Sequence, residues 1–264
     1  MGWQQLGILF VVAAALCAVG FYRYVYFLSV GYGLAVAGIG AALLVLYGGG
    51  IPAVTAVQCV LFILYGARLA GFLIWRERGN AAYRKTLRTV SGDEKKVTLP
   101  LKAGIWVSVS ALYVVQASPV YFRCRSAAQV VLLPGIGAAV SAAAIVIEAL
   151  ADQQKTAQKA QDPNMVATHG LYRIVRCPNY WGEIQFWTGV LLGGLTALHG
   201  AGQWIMALAG YGCIVAIMFS GAQRLEKRQA ARYGSLPAYQ EYAAHTPILL
   251  PLVPLYHLYR EKKA

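Results

Sequence analysis

Seven apolar runs occupy most of this chain and limit what it can fold into. A helix needs about 20 predominantly apolar residues to cross the hydrocarbon core of a bilayer. The runs approach or exceed that length, at residues 3–21, 26–47, 51–75, 101–122, 127–150, 181–198 and 203–220. Because 58% of the residues are hydrophobic and only 12% are charged, the composition excludes an ordinary soluble globular protein. The sequence therefore predicts an all-α, polytopic membrane protein with seven transmembrane helices.

The charged residues indicate how those helices are oriented. Most Lys and Arg residues follow the third, fifth and seventh runs, in segments 76–102, 155–176 and 224–263. These segments fall on one side of a seven-helix layout, and Lys and Arg accumulate on the cytoplasmic side of membrane proteins. We therefore expect the N-terminus outside and the C-terminus in the cytoplasm, with Arg123 and Arg125 as exceptions. This topology explains the net charge of +13, and we expect no nucleic-acid partner.

Neither the cysteines nor two short glycine patterns indicate a metal or dinucleotide site. The five cysteines and four histidines are scattered without a C-x-x-C pair, so we expect no metal. The Gly-Ile-Gly segments at 38–40 and 135–137 lie inside apolar runs and lack the strand and acidic residue of a dinucleotide-binding loop. They indicate close helix packing instead.

The least generic stretch of the sequence is residues 169–183, HGLYRIVRCPNYWGE. Arg173 and Arg176 are three residues apart, so a helical turn would place both on one face, where they could bind an anion such as phosphate. A proline then presets the next helix, whose first turns place Asn179 and Glu183 on one face.

Glu183 opens an apolar run, and a carboxylate at membrane depth is costly and usually functional. Trp187 lies one turn further along the same face and could stack on a ligand ring. An anchoring interpretation, with cytoplasmic arginines, a helix cap at Asn179 and interfacial aromatic residues, explains the other side chains. It leaves Glu183 unexplained.

Residues 170–183 resemble the C-terminal signature of the steroid 5α-reductase superfamily. In its bacterial members and in related sterol reductases the signature reads approximately G-L-[WY]-R-x-x-R-H-P-N-Y-x-G-[ED], and Cys177 stands at its histidine. A shorter form occurs in isoprenylcysteine and phospholipid methyltransferases. The resemblance covers residues 65–251 in organisation, but only 170–187 is specific in sequence. It implies contacts to a nucleotide cofactor at Arg173, Arg176, Asn179, Glu183 and Trp187.

Two acidic residues at the end of the fifth run leave two interpretations open. Glu148 and Asp152 are four residues apart and precede Lys155 and Lys159, so they could simply pair with these lysines at a frayed helix end. They could instead accept hydrogen bonds from a ribose or an amide while the lysines bind phosphate. The resemblance favours cofactor binding, because it matches Asp152 and Lys159 to residues that contact the nucleotide.

Tyr65 and Arg68 lie three residues apart in the third run. Packing and snorkelling are their ordinary roles. The resemblance implies more, because the family's catalytic tyrosine precedes an arginine by three residues, and basic residues at the helix end, here Arg76 and Arg78, contact the cofactor with Arg68. A phenol at this depth can donate a hydrogen bond and a proton to a substrate carbonyl oxygen.

One residue of the family's catalytic pair is missing. The steroid enzymes use a glutamate in the second run, whereas this chain has no acidic residue before Glu77. Tyr32 is the nearest candidate in the equivalent region and offers a hydroxyl group. We therefore expect Tyr65 and Tyr32 as the catalytic residues.

The C-terminal tail is not expected to form a further spanning helix. Residues 246–259 contain Pro247, Pro251 and Pro254, which interrupt helices, so we expect this segment at the membrane interface. The basic residues before it indicate a juxtamembrane helix that binds anionic lipid. Under the resemblance, one or two of them contact the cofactor.

The resemblance as a whole implies an NADPH-dependent oxidoreductase of steroid or lipid metabolism. It would reduce a carbon–carbon double bond conjugated to a carbonyl in a lipophilic, 3-oxo-Δ4-steroid-like substrate entering from the bilayer. Residues 1–122 would form the substrate side and residues 127–264 the cofactor-binding half of one membrane domain. NADPH is expected over NADH because surplus basic residues suit an additional phosphate. The membrane would be the bacterial inner membrane or the endoplasmic reticulum.

Two alternatives stay open. An S-adenosylmethionine-dependent membrane methyltransferase shares the short motif, although such enzymes typically have histidine at the position of Cys177 and a Glu-Glu pair where this chain has only Glu226. The second alternative is a lipid-binding or scaffold membrane protein whose ancestral site has decayed. The missing glutamate favours it, whereas Tyr65, Asn179 and Glu183 argue against it.

Overall fold

The computed structural model describes residues 2–80, 83–84, 87, 97–126 and 130–258, and within these ranges the chain forms helices and loops but no strand. The α-helices are α1 (Gly2–Cys17), α2 (Val30–Tyr47), α3 (Ala53–Gly79), α4 (Leu99–Arg125), α5 (Leu132–Gln161), α6 (Pro178–Gly194), α7 (Gly200–Tyr233) and α8 (Pro237–His245). Short 3₁₀ helices cover Ala18–Phe21, Tyr24–Leu28, Gly170–Arg173 and Leu195–Ala197. The all-α prediction is confirmed for this part of the chain.

Six helices within the described ranges are long and apolar enough to cross a membrane, namely α1 with its 3₁₀ extension, α2, α3, α4, α5 and α7. The remaining expected span, 181–198, forms α6, which has 17 residues and continues as a 3₁₀ helix. A multi-pass membrane protein is thereby supported, whereas the count of seven and the orientation of the termini stay predictions. Much of the expected basic segment 76–102, and the tail beyond residue 258, lie outside the described residues.

Two helices extend beyond their apolar runs. Helix α5 continues to Gln161 and α7 continues to Tyr233, each about three turns past the expected end of the span. At 1.5 Å per residue, the 34 residues of α7 extend about 51 Å, well beyond a hydrocarbon core of roughly 30 Å. The polar ends of α5 and α7 would therefore project beyond the hydrocarbon core. They carry side chains that hold in place the loop at residues 169–177, which contains the first part of the signature motif.

The chain divides into two compact units, each assembled from separate parts of the sequence. Unit 1 comprises Met1–Ala139 and Gly189–Gly210, and unit 2 comprises Val140–Thr188 and Tyr211–Ala264. The division runs through α5, α6 and α7, and so differs from the boundary expected between residues 122 and 127.

In unit 1, helices α1 to α4 pack against one another, and glycines allow the closest approaches. A Cβ atom at Gly40 of α2 would lie 2.6 Å from the carbonyl oxygen of Cys59 in α3. One at Gly137 would lie 2.5 Å from the carbonyl oxygen of Gly189. Because real Cβ atoms do not approach so closely, the helix-packing interpretation of these two glycines is confirmed.

Arg123 and Arg125, the exceptions to the charge distribution, have local roles in unit 1. Arg123 is 1% exposed, and it donates hydrogen bonds to Thr196 Oγ1 at 3.1 Å and to the carbonyl oxygen of Val130. The guanidinium of Arg125 lies 5.7 Å from the ring centroid of Tyr121. Both arginines therefore contribute to packing at the end of α4.

In unit 2, α5 and α6 run antiparallel in a defined register. Ser141 Oγ, near the middle of α5, donates to the carbonyl oxygen of Phe186 in α6 at 3.1 Å. Further along, Asp152 of α5 contacts Asn179 at the beginning of α6. This register brings the polar end of α5 beside the motif.

Candidate functional site

Two glutamines of α5 hold the loop that opens the motif. Gln158 Oε1 accepts the backbone N–H of His169 at 2.9 Å, and its Nε2 donates to the carbonyl oxygen of the same residue at 3.1 Å. Gln154 Oε1 accepts the backbone N–H of Leu171 at 2.8 Å. Between them Gly170 has φ +68°, and a Cβ atom there would collide with the Gln154 amide. The motif glycine is therefore required both by its backbone conformation and by its neighbour.

A chain of hydrogen bonds then fixes the first residues of α6. Asn179 Nδ2 donates to Asp152 Oδ1 at 2.5 Å, and Asn179 Oδ1 accepts from the hydroxyl of Tyr172 at 3.1 Å. The Tyr242 hydroxyl donates to the carbonyl oxygen of Tyr172 at 2.6 Å. Burial raises the pKa of Tyr242, with the charge of Arg176 opposing that shift. The amide of Asn179 is thus oriented by partners on both sides.

Glu183 and Trp187 form a buried pair on α6. Glu183 is 7% exposed, and its Oε1 accepts the indole N–H of Trp187 at 2.9 Å. Trp187 is 2% exposed and meets the ring of Phe186 edge-on, with centroids 5.3 Å apart. The expectation that Trp187 offers its ring to a ligand is therefore corrected, because the ring is packed inside the protein and its N–H orients a carboxylate.

Glu148 is buried where α5 packs on α6. It is 2% exposed, and a Cβ atom at Gly182 would lie 2.5 Å from its Cγ. The helix does not fray after this acidic pair, because α5 continues without interruption to Gln161. Glu148 and Asp152 both contact the first turns of α6, which also carry Asn179 and Glu183.

Lys159 has a structural role that differs from the expected contact with phosphate. Its ammonium donates to the carbonyl oxygens of Pro163, at 3.3 Å, and Met165, and to the hydroxyl of Tyr233 at 2.9 Å. These three acceptors match the three N–H donors of a lysine. The turn after α5 folds back over the lysine and supplies carbonyl groups, whereas the expected contact with phosphate stays a prediction.

The two motif arginines do not share a face. Arg173 ends the 3₁₀ helix and is exposed, whereas Arg176 lies in a bend after that helix and is 3% exposed. Arg176 Nη2 contacts Glu226 Oε1 at 3.0 Å and the carbonyl oxygen of Tyr256. The helical spacing argument is therefore wrong here, since the chain leaves the helical conformation between the two residues.

The buried guanidinium of Arg176 retains donor capacity. Its Nε and Nη1 atoms are buried without a hydrogen-bond partner among the described residues. An unsatisfied buried donor is costly, and an anion would satisfy both. Glu226, 50 residues away in sequence, is the partner that the sequence pattern did not reveal.

Cys177 occupies the histidine position of the signature. It is 5% exposed, and its N–H donates to the carbonyl oxygen of Ile248 at 2.9 Å. Burial raises the pKa of its thiol to about 12. At neutral pH Cys177 is therefore an uncharged packing residue.

In unit 1 the two expected catalytic tyrosines lie together. Tyr65 is 0% and Tyr32 is 7% exposed, and their rings meet edge-on with centroids 6.1 Å apart. Tyr113 of α4, which the sequence pattern did not reveal, lies 4.8 Å from the ring of Tyr32. Its hydroxyl donates to the carbonyl oxygen of Phe27 at 2.7 Å, so Tyr113 fixes one side of the pair.

The expected cofactor-contacting arginines of α3 occupy different environments. Arg68 is half-buried one turn after Tyr65. The guanidinium of Arg76 lies 4.4 Å from the ring centroid of Tyr83, and Arg78 is exposed at the helix end. Within the described ranges no group of three or more His, Cys, Asp or Glu side chains is arranged to hold a metal ion.

A family model matches most of this chain. The family is described as a protein of unknown function, DUF1295, and the match covers residues 28–246. The chain belongs to this family. DUF1295 is associated with steroid 5α-reductase-like proteins, so the resemblance is confirmed at that level, without indicating a particular member. No curated protein and no solved structure matches the chain.

The DUF1295 match encloses both parts of the candidate site. The tyrosine pair of unit 1 and the network around Asn179 in unit 2 lie within it, as does Glu226. The match ends at residue 246, directly before the tail whose backbone contacts Arg176 and Cys177.

Proposed function

We propose that this membrane protein is an NADPH-dependent reductase acting on a carbon–carbon double bond conjugated to a carbonyl. The substrate is lipophilic, of the 3-oxo-Δ4-steroid kind, and enters from the bilayer. The observation that carries the proposal is the set of polar side chains at the beginning of α6, where the half-buried Asp152 and Asn179 and the buried Glu183 are each held by hydrogen bonds. A carboxylate at membrane depth is expensive and usually functional, and cofactor binding is a function that would retain Glu183 beside Asn179 and Asp152.

The residues of unit 2 suit a nucleotide cofactor. The orphaned Nε and Nη1 atoms of Arg176 would bind phosphate oxygens, and the exposed Arg173 could join them. The carboxylates of Asp152 and Glu183 would accept hydrogen bonds from ribose hydroxyls or a carboxamide, and Asn179 can serve as donor and acceptor. Lys159 is not needed for this role.

The chemistry of the bound NADPH is the supply of a hydride to the β-carbon of the enone. The chain's own contribution is an acid in unit 1. Tyr65 donates a hydrogen bond to the substrate carbonyl oxygen as negative charge develops there, and its proton converts that oxygen to an enol that returns to the ketone in water. Tyr32, held by Tyr113, keeps the Tyr65 ring in place.

The engagement of Glu226 supports reduction over methyl transfer. The methyltransferase alternative is associated with an acidic pair in the juxtamembrane helix. Here the single carboxylate of Glu226 is occupied by Arg176, His257 and the N–H of Leu258.

Isotope transfer tests the proposed reaction. The purified protein is incubated with 3-oxo-Δ4 steroids and NADPH deuterated at its transferable hydride, and the product is analysed by mass spectrometry. We expect one deuterium in the saturated product, and a loss of rate of about 10²–10⁴-fold for Tyr65→Phe with unchanged NADPH affinity. Full activity of Tyr65→Phe, or saturation without the label, would contradict the proposal.

A further inference from the structure

The tail after α8 folds back along the apolar part of α7. Ile248 and Leu249 are 1% and 0% exposed and form a cluster with Ala222 of α7. Partly buried residues of α7 that pack against this cluster are Val215, Met218 and Phe219. The tail therefore belongs to a cluster whose members on α7 precede the first charged side chain of this helix end, Arg224.

The position of those residues along α7 gives the depth of the contact. Val215 lies nine residues before Arg224 in the same helix, which corresponds to about 14 Å along the axis. The hydrocarbon core is about 30 Å thick, so the cluster that contains Ile248 and Leu249 extends along a part of α7 that a membrane would enclose.

The tip of the tail is apolar and exposed. Leu252 is 100% exposed and Val253 is 43% exposed. Leu252 also has φ +63°, a conformation that non-glycine residues rarely adopt. Asn adopts such a turn more readily, so the backbone conformation alone does not account for a leucine at this position.

The backbone of the tail is suited to a medium without water. The N–H of Ile248 donates to the carbonyl oxygen of Leu255 at 2.8 Å, and the N–H of Leu255 donates to that of Val253 at 2.6 Å. The three tail prolines at 247, 251 and 254 have no N–H to satisfy. Lipid-exposed backbone requires internal partners for its polar groups, and these hydrogen bonds supply them for the N–H groups of Ile248 and Leu255 and the carbonyl of Val253.

Polar contacts hold the base of the tail, His257 and Leu258, against the charged end of α7. Glu226 Oε2 accepts the N–H of Leu258 at 2.8 Å, and Glu226 Oε1 lies 2.9 Å from His257 Nδ1. Gln223 Nε2 donates to the carbonyl oxygen of Leu258 at 2.9 Å. The polar base thus lies at the charged end of α7, and the apolar segment lies beside the span.

We propose that the tip at residues 251–254 inserts into the hydrocarbon of the same membrane that α7 crosses. The tail is then a short re-entrant loop whose partner is lipid acyl chains, anchored at its base by Glu226. This goes beyond an interfacial location of the tail and does not depend on the identity of the cofactor or substrate.

Spin-label accessibility tests the insertion. Cys213→Ser removes the exposed cysteine, since Cys17, Cys59, Cys124 and Cys177 are buried. A nitroxide is attached at Leu252→Cys in lipid nanodiscs, and its collisions with oxygen and with a water-soluble nickel chelate are compared. Ile217→Cys, on the exposed face of α7, is the lipid control, and Ser235→Cys, in the exposed turn after α7, is the water control.

We expect the label at Leu252 to shift toward the oxygen-rich, nickel-poor accessibility of the Ile217 control. Val253→Cys provides a second site if the first variant folds poorly, and the same shift is expected there. Nickel accessibility equal to that of the Ser235 control would overturn the proposal. Dipolar broadening between labels of two chains would also overturn it, because a second copy would then cover the tip.

Discussion

At the residue scale, Gly170 combines two constraints that can be separated. Its φ of +68° would strain any other residue, and its position against Gln154 leaves no room for a side chain. Gly200 has nearly the same φ, +70°, but nothing lies within 4 Å of a Cβ built there. The two glycines therefore form a matched pair.

We predict that Gly170→Ala destabilises the protein more than Gly200→Ala. Both variants incur about 1–2 kcal/mol for a left-handed alanine, but only Gly170→Ala displaces Gln154 and the loop that it holds. Thermal unfolding of the two variants in the same detergent measures the difference. Equal melting temperatures would mean that the contact with Gln154 has no energetic importance.

Asn179 and Asp152 should behave as a coupled pair. Asn179→Asp places two carboxylates within hydrogen-bond distance, which disfavours ionisation of both. Asp152→Asn replaces the charged acceptor of the Asn179 N–H group with a neutral amide. We expect each single variant to weaken NADPH binding by about tenfold or more, equivalent to about 1.4 kcal/mol. The swapped double variant restores one carboxylate and one amide, and should recover much of the affinity.

A double-mutant cycle on NADPH affinity checks this prediction, because interacting side chains give non-additive effects. Additive losses in the swapped variant would indicate that the two residues act independently, contrary to the 2.5 Å hydrogen bond between them.

Pairs of residues in the candidate site show which contacts the sequence could predict and which it could not. Spacing along one helix correctly placed Asn179 and Glu183 in the first turns of α6, because that argument needs only local geometry. It could not reveal Glu226 as the partner of Arg176, since no periodicity links residues on different helices. It misplaced Arg173 and Arg176 because the segment between them is not helical.

At the element scale, the apolar runs predicted where the spans lie but did not predict where the helices end. A hydropathy run detects the part of a helix that lies in lipid, so it ends near residue 150 although α5 continues to Gln161. The polar continuation carries Gln154, Gln158 and Lys159, which position the motif loop. Helical spacing could not predict these roles, because they depend on how the chain after α5 folds back over the helix.

Lys159 provides a test at this scale. We predict that Lys159→Met lowers the free energy of unfolding by about 1–2 kcal/mol, because three carbonyl and hydroxyl acceptors lose a charged donor. The melting temperature should fall by a few degrees, whereas NADPH affinity measured below that temperature should change little. Arg228→Met, an exposed site on α7, is the control for loss of charge alone. Unchanged stability with a clear loss of NADPH affinity would instead assign Lys159 to phosphate binding.

At the scale of the whole molecule, the chain separates its candidate chemistry between two units. Unit 1 contains the Tyr32, Tyr65 and Tyr113 cluster, and unit 2 contains the network around Asn179. Each unit is built from segments distant in sequence, which explains why a single boundary near residues 122–127 could not describe the division. Composition predicted the membrane class, but unit membership depends on packing between distant helices.

The central claim, that unit 2 binds NADPH, is tested most directly by measuring NADPH and S-adenosylmethionine binding side by side in detergent. We predict a micromolar or lower Kd for NADPH, weakened at least tenfold by Glu183→Gln and by Arg173→Ala, unchanged by Arg125→Ala at an exposed site of unit 1, and no binding of S-adenosylmethionine. Binding of S-adenosylmethionine alone would contradict the account and favour a methyltransferase, and binding of neither ligand would favour a lipid-binding or scaffold protein.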